Sequence, residues 1–220
     1  MLPEPVLTHR PEGGRDAPLL MWRVDPAQLA VSSASLGGGI GVRHWIVNAT
    51  VPMWYDRDDP DTHLTEIAAG LGLAGPGVGL LTGVDVAEMV TAADEGVRTW
   101  ATVGLGDPLW AAAPPVAASS PPVGTVNIVV SVPVRLSEAA LVNAVATATE
   151  AKAQALWDLD VRATGTATDA VCVLCPTAGP AAAYGGPRSE WGARIARSVH
   201  ATVRKGGRQG SGLPWSARFR

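Results

Sequence analysis

Charge is scarce in this sequence, and the two signs nearly cancel. Of 220 residues, 17 are Lys or Arg and 20 are Asp or Glu, so the net charge is -3 and only 17% of the chain is charged. Domains that bind nucleic acid usually carry a clear basic excess. The composition therefore predicts no nucleic-acid partner.

Long apolar runs are missing as well. A membrane-spanning helix needs about 18 or more consecutive apolar residues, and no such run occurs, so the sequence predicts no membrane partner. The first residues, MLPEPVLTHRPEGG, contain acids and prolines where a signal peptide has a basic start and an apolar stretch. We therefore expect a cytoplasmic protein.

The chain has only two cysteines, Cys172 and Cys175, which form a C-x-x-C inside the apolar run AVCVLC. That spacing suggests a redox or zinc site. A strand, however, places the two side chains on opposite faces of a sheet, and a zinc site needs a second ligand pair. We expect two inert, buried thiols.

The common catalytic signatures are also absent. The sequence contains no nucleophile elbow G-x-S-x-G, no P-loop and no H-E-x-x-H. The four histidines are His9, His44, His63 and His200, and their spacing is not that of metal ligands. The sequence therefore predicts no metal site, although a site built from residues distant in sequence stays open. Tryptophan is the commonest aromatic residue of the chain, and its side chain can either pack in the core or line a wide cleft. Both roles are open for five of them: Trp45, Trp54, Trp100, Trp110 and Trp191.

Hydrophobic residues make up 47% of the chain, enough for a substantial core, and the length suits one domain. The patterns predict an α/β or α+β fold: a single domain with a mixed β-sheet of about six strands and packed helices. Apolar, β-branched runs place the strands at residues 28–34, 43–51, 78–82, 97–104, 126–134 and around Cys172.

The predicted domain spans residues 21–203. Residues 1–20 are expected to be an extended, Pro-rich arm, and residues 204–220 a basic, flexible tail. Four prolines at 111–123 predict an exposed loop.

Apolar spacing of three and four predicts a long helix from about Ser137 to Leu159, with Ser137 as its N-cap. Lys152 falls inside its apolar stripe, where it either lays its stem along the core and reaches water or points into a cleft. A second long helix is expected from about Ser189. Shorter helices are expected at about 62–72 and 85–93.

Four segments place small polar residues beside a predicted strand, most densely in TGTATDA before AVCVLC. Such residues make ordinary turns, but open sheets with helical crossovers also build sites at strand ends. The amides, hydroxyls and carboxylate of these segments could bind a polar ligand, and their glycines would let the backbone come close to it. These features suit a polar pocket. The candidate binding residues are Ser33, Gly38, Asn48, Thr82, Asp85, Thr125, Asn127, Thr166 and Thr168, and Asp169 is a candidate base.

These segments and two further stretches, in their order along residues 30 to 203, resemble the adenosylcobinamide amidohydrolase family. The resemblance is carried by SSASLGGG, IVNATV, LLTGVD, VGTVNIVV, TATEAKAQALWDL, TGTATDAVCV and YGGPRSEWGARIARSV. One departure lies after Thr82, where Gly83 and Val84 precede Asp85 and the family often has T-A-A-D. The loop at 111–123 and both ends have no counterpart in the family pattern.

The resemblance implies an enzyme that hydrolyses the amide between the aminopropanol arm and the corrin ring of adenosylcobinamide, giving adenosylcobyric acid and aminopropanol. The cobalt corrinoid is then the substrate, and no further cofactor is expected; a homo-oligomer is possible. The resemblance assigns no catalytic residue. From the residues themselves we expect Asp169 as the base, Lys152 as a second catalytic group, and backbone N–H groups near Gly37 to Gly39 or Gly165 as oxyanion donors. A corrinoid-binding module without catalysis and an unrelated small-molecule amidase stay open as alternatives.

Overall fold

The computed structural model describes residues 2–114, 124–209 and 215–219. In these ranges it has eight strands, three α-helices and two short 3-10 turns, at Val86–Glu88 and Trp215–Phe219. The strands are β1 (Val6–Glu12), β2 (Arg15–Ser32), β3 (Gly39–Thr50), β4 (Gly77–Thr82), β5 (Val90–Asp94), β6 (Val97–Gly104), β7 (Thr125–Ser131) and β8 (Ala170–Cys175). The helices are α1 (Pro60–Gly70), α2 (Glu138–Trp157) and α3 (Glu190–Gln209).

All eight strands belong to one mixed sheet of order β4-β3-β2-β8-β7-β6-β5, with β1 paired to β2. Two pairs are parallel, β3 with β4 and β7 with β8, and the others are antiparallel. Parallel neighbours need a crossover connection, which α1 supplies for the first pair and α2 for the second. The predicted mixed α/β domain is confirmed, with eight strands instead of about six.

The sheet is curled, so that strands far apart in its order meet. The register between β2 and β3 shifts between Arg23 and Gln28. On the concave side, Asn48 of β3 donates to Thr102 of β6 at 3.1 Å, and Asn127 of β7 donates to the carbonyl of Leu81 in β4 at 2.9 Å. A buried apolar cluster fills the concave side and includes Trp22, Leu80, Trp100, Val129 and Cys172.

The convex side of the sheet is covered by helices. A second cluster joins α2 and α3 to β6, β7 and β8 through residues such as Leu141, Leu156, Ile195 and Val130. The helix α1 packs Ile67 and Ala68 against β2 and β3. Cys175 belongs to the convex cluster and Cys172 to the concave one, so the two thiols lie on opposite faces, as predicted.

Both long helices begin at a serine cap. The hydroxyl of Ser137 accepts from the backbone N–H of Ala140 at 3.1 Å, and that of Ser189 accepts from Gly192 at 3.1 Å. Each cap satisfies one of the N–H groups that a helix start leaves without a partner. The predicted starts of α2 and α3 are confirmed.

The N-terminal segment was predicted to be an extended, Pro-rich arm, but Val6–Glu12 forms β1 and pairs antiparallel with the first residues of β2. Proline cannot donate to a strand ladder and is tolerated where a strand has one neighbour. Pro11 lies in β1, at the edge, and Pro18 precedes Leu19, where the pairing of β2 with β3 begins. The prolines therefore did not exclude strands here.

The strand β5 was also missed, since residues 85–93 were expected to be a short helix. Only Val86–Glu88 forms a 3-10 turn, and Val90–Asp94 pairs antiparallel with β6. The two-residue connection has φ of 41° at Glu95 and 92° at Gly96. Positive φ at both positions is typical of a tight hairpin turn, which usually shows itself as Asn-Gly or Asp-Gly.

The C-terminal segment is partly ordered, although we expected a flexible tail. The helix α3 continues to Gln209, and Trp215 is buried with its N–H donating to the carbonyl of Gly83 at 2.8 Å. Residues 210–214 and 220 of that tail, and residues 115–123 of the predicted exposed loop, lie outside the described residues. None of the helices in the described part of the chain combines the length and apolar character that crossing a bilayer requires.

Candidate functional site

A cleft of about 500 Å³ opens at one rim of the curled sheet. Five stretches of chain line it: the residues after β2, the loop 51–60, the end of β4, the start of β7 and the turn into β8. The polar residues among them include Ser33, Ser35, Tyr55, Arg57, Thr82, Thr125, Asn127, Thr168 and Asp169. We call the side formed by residues 124–125 and 168–169 the Asp169 wall, and the side formed by residues 51–60 the Tyr55 wall.

At the centre of the Asp169 wall lies the carboxylate of Asp169, and each of its two oxygens accepts two hydrogen bonds. Oδ1 of Asp169 accepts from the backbone N–H of Val126 at 2.8 Å and from the hydroxyl of Thr166 at 2.5 Å. Oδ2 accepts from the backbone N–H of Thr166 at 3.0 Å and from the ammonium of Lys152. Four donors on two oxygens fix the position of the carboxylate and tie the turn before β8 to the start of β7.

Lys152 reaches this carboxylate from inside the protein. Its side chain is 8% exposed and that of Asp169 is 10% exposed, so the two form a buried ion pair. A side chain at Gly165 would overlap both the ammonium and the carboxylate, which explains the glycine at that position. Lys152 thus neither reaches water nor lines the cleft; it contacts the cleft through Asp169.

Three threonine hydroxyls surround the carbonyl of Gly124; Thr125 and Thr168 line the cleft, and Thr166 does not. The carbonyl oxygen lies 2.9 Å from the hydroxyl of Thr125, 2.9 Å from that of Thr166 and 3.2 Å from that of Thr168. The hydroxyls of Thr125 and Thr168 are themselves 2.6 Å apart. Because each hydroxyl has one hydrogen and two lone pairs, this cluster uses its hydrogens internally, and Thr125 and Thr168 present lone pairs to a ligand in the cleft.

An amide pair crosses the base of the cleft. Asn127, which lines the cleft, donates from Nδ2 to Oδ1 of Asn48 at 2.9 Å as well as to Leu81. Both of its amide hydrogens are used, and none of the described residues donates to its Oδ1. Asn127 therefore offers an acceptor to a ligand, while Asn48 lies behind it and holds it in place.

The other predicted site residues have local partners. The hydroxyl of Ser33 accepts from the N–H of Val171 at 3.0 Å, and that of Thr82 accepts from the N–H of Val84 at 3.2 Å; both residues line the cleft. Asp85 caps the 3-10 turn by accepting from Ala87 at 2.9 Å. Neither Asp85 nor Gly38 is among the residues that line the cleft.

The Tyr55 wall was missed at the sequence level. The hydroxyl of Tyr55 lies 3.1 Å from Nδ1 of His63, and Nε2 of His63 lies 3.1 Å from a carboxylate oxygen of Glu12. The three residues come from the loop, from α1 and from β1, so no spacing in the sequence connects them. The position of His63 at the start of a predicted helix gave no sign of this contact.

A second cavity, of about 410 Å³, lies between α1 and the starts of β3 and β4. Its main polar group is Arg43, which is buried and donates to the carbonyls of Gly37 and Val42 at 2.9 and 3.1 Å. Gly37 has a φ of 75° and packs directly on the carbonyl of Gly77. Gly37, near which oxyanion donors were expected, and Trp45, which was considered for a cleft, line this second cavity, but none of the candidate binding residues, Asp169 or Lys152 does.

Known proteins match this chain over all the segments that build the first cleft. Residues 4–214 match the sequence model of a family described as adenosylcobinamide amidohydrolase. An adenosylcobinamide amidohydrolase of Methanosarcina mazei is 31% identical over 183 residues, covering 79% of this chain and 88% of the relative. One of Halobacterium salinarum is 37% identical over 165 residues, 70% of each chain.

The chain belongs to the adenosylcobinamide amidohydrolase family. The resemblance predicted from the sequence is thereby confirmed. Most of the segments that carried it contribute residues to the cleft, whereas YGGPRSEWGARIARSV forms the start of α3 and packs on α2, where Thr147 donates to the carbonyl of Gly185 at 2.8 Å. The family pattern thus combines a site with the packing that supports it.

Two other features of this family member concern thiols and metals. Burial raises the pKa of Cys172 to about 12, so its thiol stays protonated at neutral pH. Among the described residues, no group of three His, Cys, Asp or Glu side chains is close enough to hold a metal ion. The tryptophans considered for a cleft also lie elsewhere, since none of the eight lines it and Trp45 and Trp100 are buried.

Proposed function

We propose that this protein hydrolyses the amide bond between the aminopropanol arm and the corrin ring of adenosylcobinamide, and releases adenosylcobyric acid and aminopropanol. The observation that carries the proposal is the family match over residues 4–214, which includes every polar residue of the cleft. Two relatives named adenosylcobinamide amidohydrolase support it. The product would be a substrate for renewed attachment of an arm, which makes the reaction a salvage step.

The chemistry of the cleft suits this substrate. A corrin ring is fringed with carboxamide groups, which are neutral and offer both donors and acceptors. The cleft offers threonine lone pairs on the Asp169 wall and the Asn127 carbonyl at its base. Neutral polar groups of this kind bind amides without the desolvation cost that a charged group carries.

Within the proposal, the pair of Asp169 and Lys152 positions the wall. Asp169 would have to release one of its four donors before it took a proton from water, whereas a positioning role needs no such change. The pair holds Thr166 and, through the turn that follows it, Thr168, which lines the cleft. The base role expected for Asp169 from the sequence stays a prediction that the variants described in the Discussion test.

We also propose that the reaction needs no resident cofactor, because the cobalt belongs to the substrate and hydrolysis of an amide requires only water, acid–base groups and an oxyanion donor. The cytoplasmic location and the possible homo-oligomer stay predictions.

The test is conversion of adenosylcobinamide to adenosylcobyric acid by the purified protein, followed by chromatography and mass spectrometry. Ser35→Trp fills the cleft from an exposed position and should abolish turnover, while Ala201→Trp, exposed on α3, should leave it unchanged. Absence of product with folded protein and intact substrate would contradict the proposal. Quenching of tryptophan fluorescence by the corrinoid without turnover would favour a binding module, and cleavage of simple amides alone would favour an unrelated amidase.

A further inference from the structure

A line of three polar side chains leads from the cleft into the protein. Tyr55 lines the cleft, its hydroxyl contacts Nδ1 of His63, and Nε2 of His63 contacts Oε2 of Glu12. The tyrosine and histidine rings also stack, with centroids 5.5 Å apart. The fold does not itself require polar side chains at these positions, because α1 and β1 could pack there through apolar residues.

Of the inner members of the line, His63 is buried and Glu12 is partly buried. The side chain of His63 is 9% exposed and that of Glu12 is 14% exposed. Burial lowers the pKa of His63 from 6.5, against the opposing effect of Glu12, and burial raises the pKa of Tyr55. At neutral pH, Tyr55 therefore carries its proton and His63 is neutral and able to accept one.

The hydrogen-bond roles follow from this protonation state. Glu12 only accepts, so the neutral His63 donates to it from Nε2. Nδ1 of His63 then carries a lone pair and accepts from the hydroxyl of Tyr55. The oxygen of Tyr55 keeps lone pairs with which it can accept a hydrogen bond from a water molecule in the cleft.

We propose that Tyr55 is a catalytic residue that relays a proton between the cleft and His63, with Glu12 as the positioning residue for His63. This inference rests on the proposed hydrolysis. As water attacks the amide carbon, its proton passes to the oxygen of Tyr55 while the hydroxyl proton of Tyr55 passes to Nδ1 of His63. When the C–N bond breaks, both transfers reverse, and the leaving amine takes the proton.

The relay balances without another reactant. Water supplies the oxygen and the proton, the carboxylic acid and the amine are the products, and Tyr55 and His63 return to their starting states. The imidazolium that forms transiently beside Glu12 is stabilised by that carboxylate. The relay thus uses the acceptor of the cleft that is hydrogen-bonded to a neutral histidine.

Other charges face His63 and set its titration. Glu12 and Arg10 approach from β1, with Arg10 2.8 Å from the shared oxygen of Glu12; Glu66 acts from α1 and Arg57 from the loop. Glu12 and Glu66 raise the pKa of His63, while Arg10 and Arg57 lower it. Since the relay needs neutral His63, kcat should fall as the pH drops through the lowered pKa, below 6.5.

The first test compares the two tyrosines of the chain. Tyr55→Phe should lower kcat by about 10²- to 10⁴-fold, the usual contribution of a general acid–base group, with a small change in KM. Tyr184→Phe is the matched control, because Tyr184 is 76% exposed and does not line the cleft, and it should turn over adenosylcobinamide like the wild type.

The second test follows the acidic limb of the pH profile, which a purely structural role would not move. Glu12→Gln should shift the limb to lower pH, because His63 loses the carboxylate that raises its pKa. Arg57→Gln, at a more exposed position, should shift it to higher pH, because a neighbouring cation is removed. If loss of the ion pair with Arg10 unfolds the Glu12→Gln variant, the direction of the pH shift in the Arg57→Gln variant alone decides the test.

The outcomes separate this inference from the proposed function. Wild-type protein without turnover overturns both. Wild-type turnover with near-normal kcat in Tyr55→Phe, or an acidic limb that stays in place in the Arg57 variant, overturns the relay and leaves the hydrolase proposal standing. Loss of kcat in Tyr55→Phe together with a shifted limb supports the relay.

Discussion

The two walls of the cleft bury polar groups in opposite ways. On the Asp169 wall, four donors fill a carboxylate, and its lysine partner lies inside the protein. On the Tyr55 wall, the line from Tyr55 to Glu12 passes through His63, a neutral histidine whose pKa is lowered by burial. A filled group fixes geometry, and a group with an open acceptor can move a proton. The comparison predicts that substitutions in the buried ion pair of the Asp169 wall lower the free energy of unfolding, and that substitutions in the Tyr55 wall lower kcat.

The largest stability effect should come from Asp169→Asn, which leaves the ammonium of Lys152 buried without a counter-charge. Breaking one partner of a buried pair typically costs about 3–5 kcal/mol, to be measured by urea unfolding. Asp158→Asn is the matched control: Asp158 pairs with His200 at the surface, where a pair contributes about 0–1 kcal/mol.

A double variant sharpens this result. Lys152→Met with Asp169→Asn removes both charges and should recover part of the lost stability. If Asp169→Asn costs no more than Asp158→Asn, and kcat alone is lost, the carboxylate acts as the base and not as an anchor.

Gly165→Ala should have the next largest effect, because the added methyl group overlaps the ion pair. Overpacking of this kind typically costs about 1–3 kcal/mol. Gly70→Ala is the control, since a side chain there meets no atom within 4 Å, and it should be neutral or slightly stabilising. Equal melting temperatures of the two variants would show that the ion pair tolerates displacement.

Tyr55→Phe should lose little stability in spite of its large effect on kcat. It removes one partly buried hydrogen bond, which typically contributes about 0.5–1.5 kcal/mol. Thermal unfolding of this variant beside Asp169→Asn measures the difference between the walls directly. A loss of stability as large as that of Asp169→Asn would contradict the distinction.

Thr168→Val should have the smallest effect. Thr168 is exposed at the cleft, and losing one hydrogen bond of about 1 kcal/mol to the substrate raises KM roughly fivefold. Steady-state kinetics with adenosylcobinamide tests this, and Thr65→Val, at an exposed position on α1 beside the other cavity, should leave KM unchanged.

The Asp169 wall could largely be predicted from the sequence. Its residues stand at strand ends in compact segments, and the helical period placed Lys152 on the buried face of α2. The sequence could not show that Lys152 meets Asp169, because neither of the two predicted orientations of the lysine involved an ion pair. That contact depends on the turn at Gly165, which brings the carboxylate back over the helix.

The Tyr55 wall could not be predicted in this way. Glu12 was assigned to an arm and His63 to the start of a helix, and no element was predicted at Tyr55. The three meet only because β1 joins the sheet beside β2. The curl of the sheet was equally inaccessible, since the bonds from Asn48 to Thr102 and from Asn127 to Leu81 join strands that are not neighbours in its order. Local patterns report which face of an element is buried, and not which distant element covers it.

The most direct test of the account is a crystal structure of Tyr55→Phe with adenosylcobinamide bound. We predict that the carbonyl carbon of the aminopropanol amide lies in the cleft between the two walls, next to Phe at position 55, with corrin carboxamides at Thr168 and Asn127. An aminopropanol arm in the second cavity beside Arg43, or anywhere outside the cleft, would contradict it.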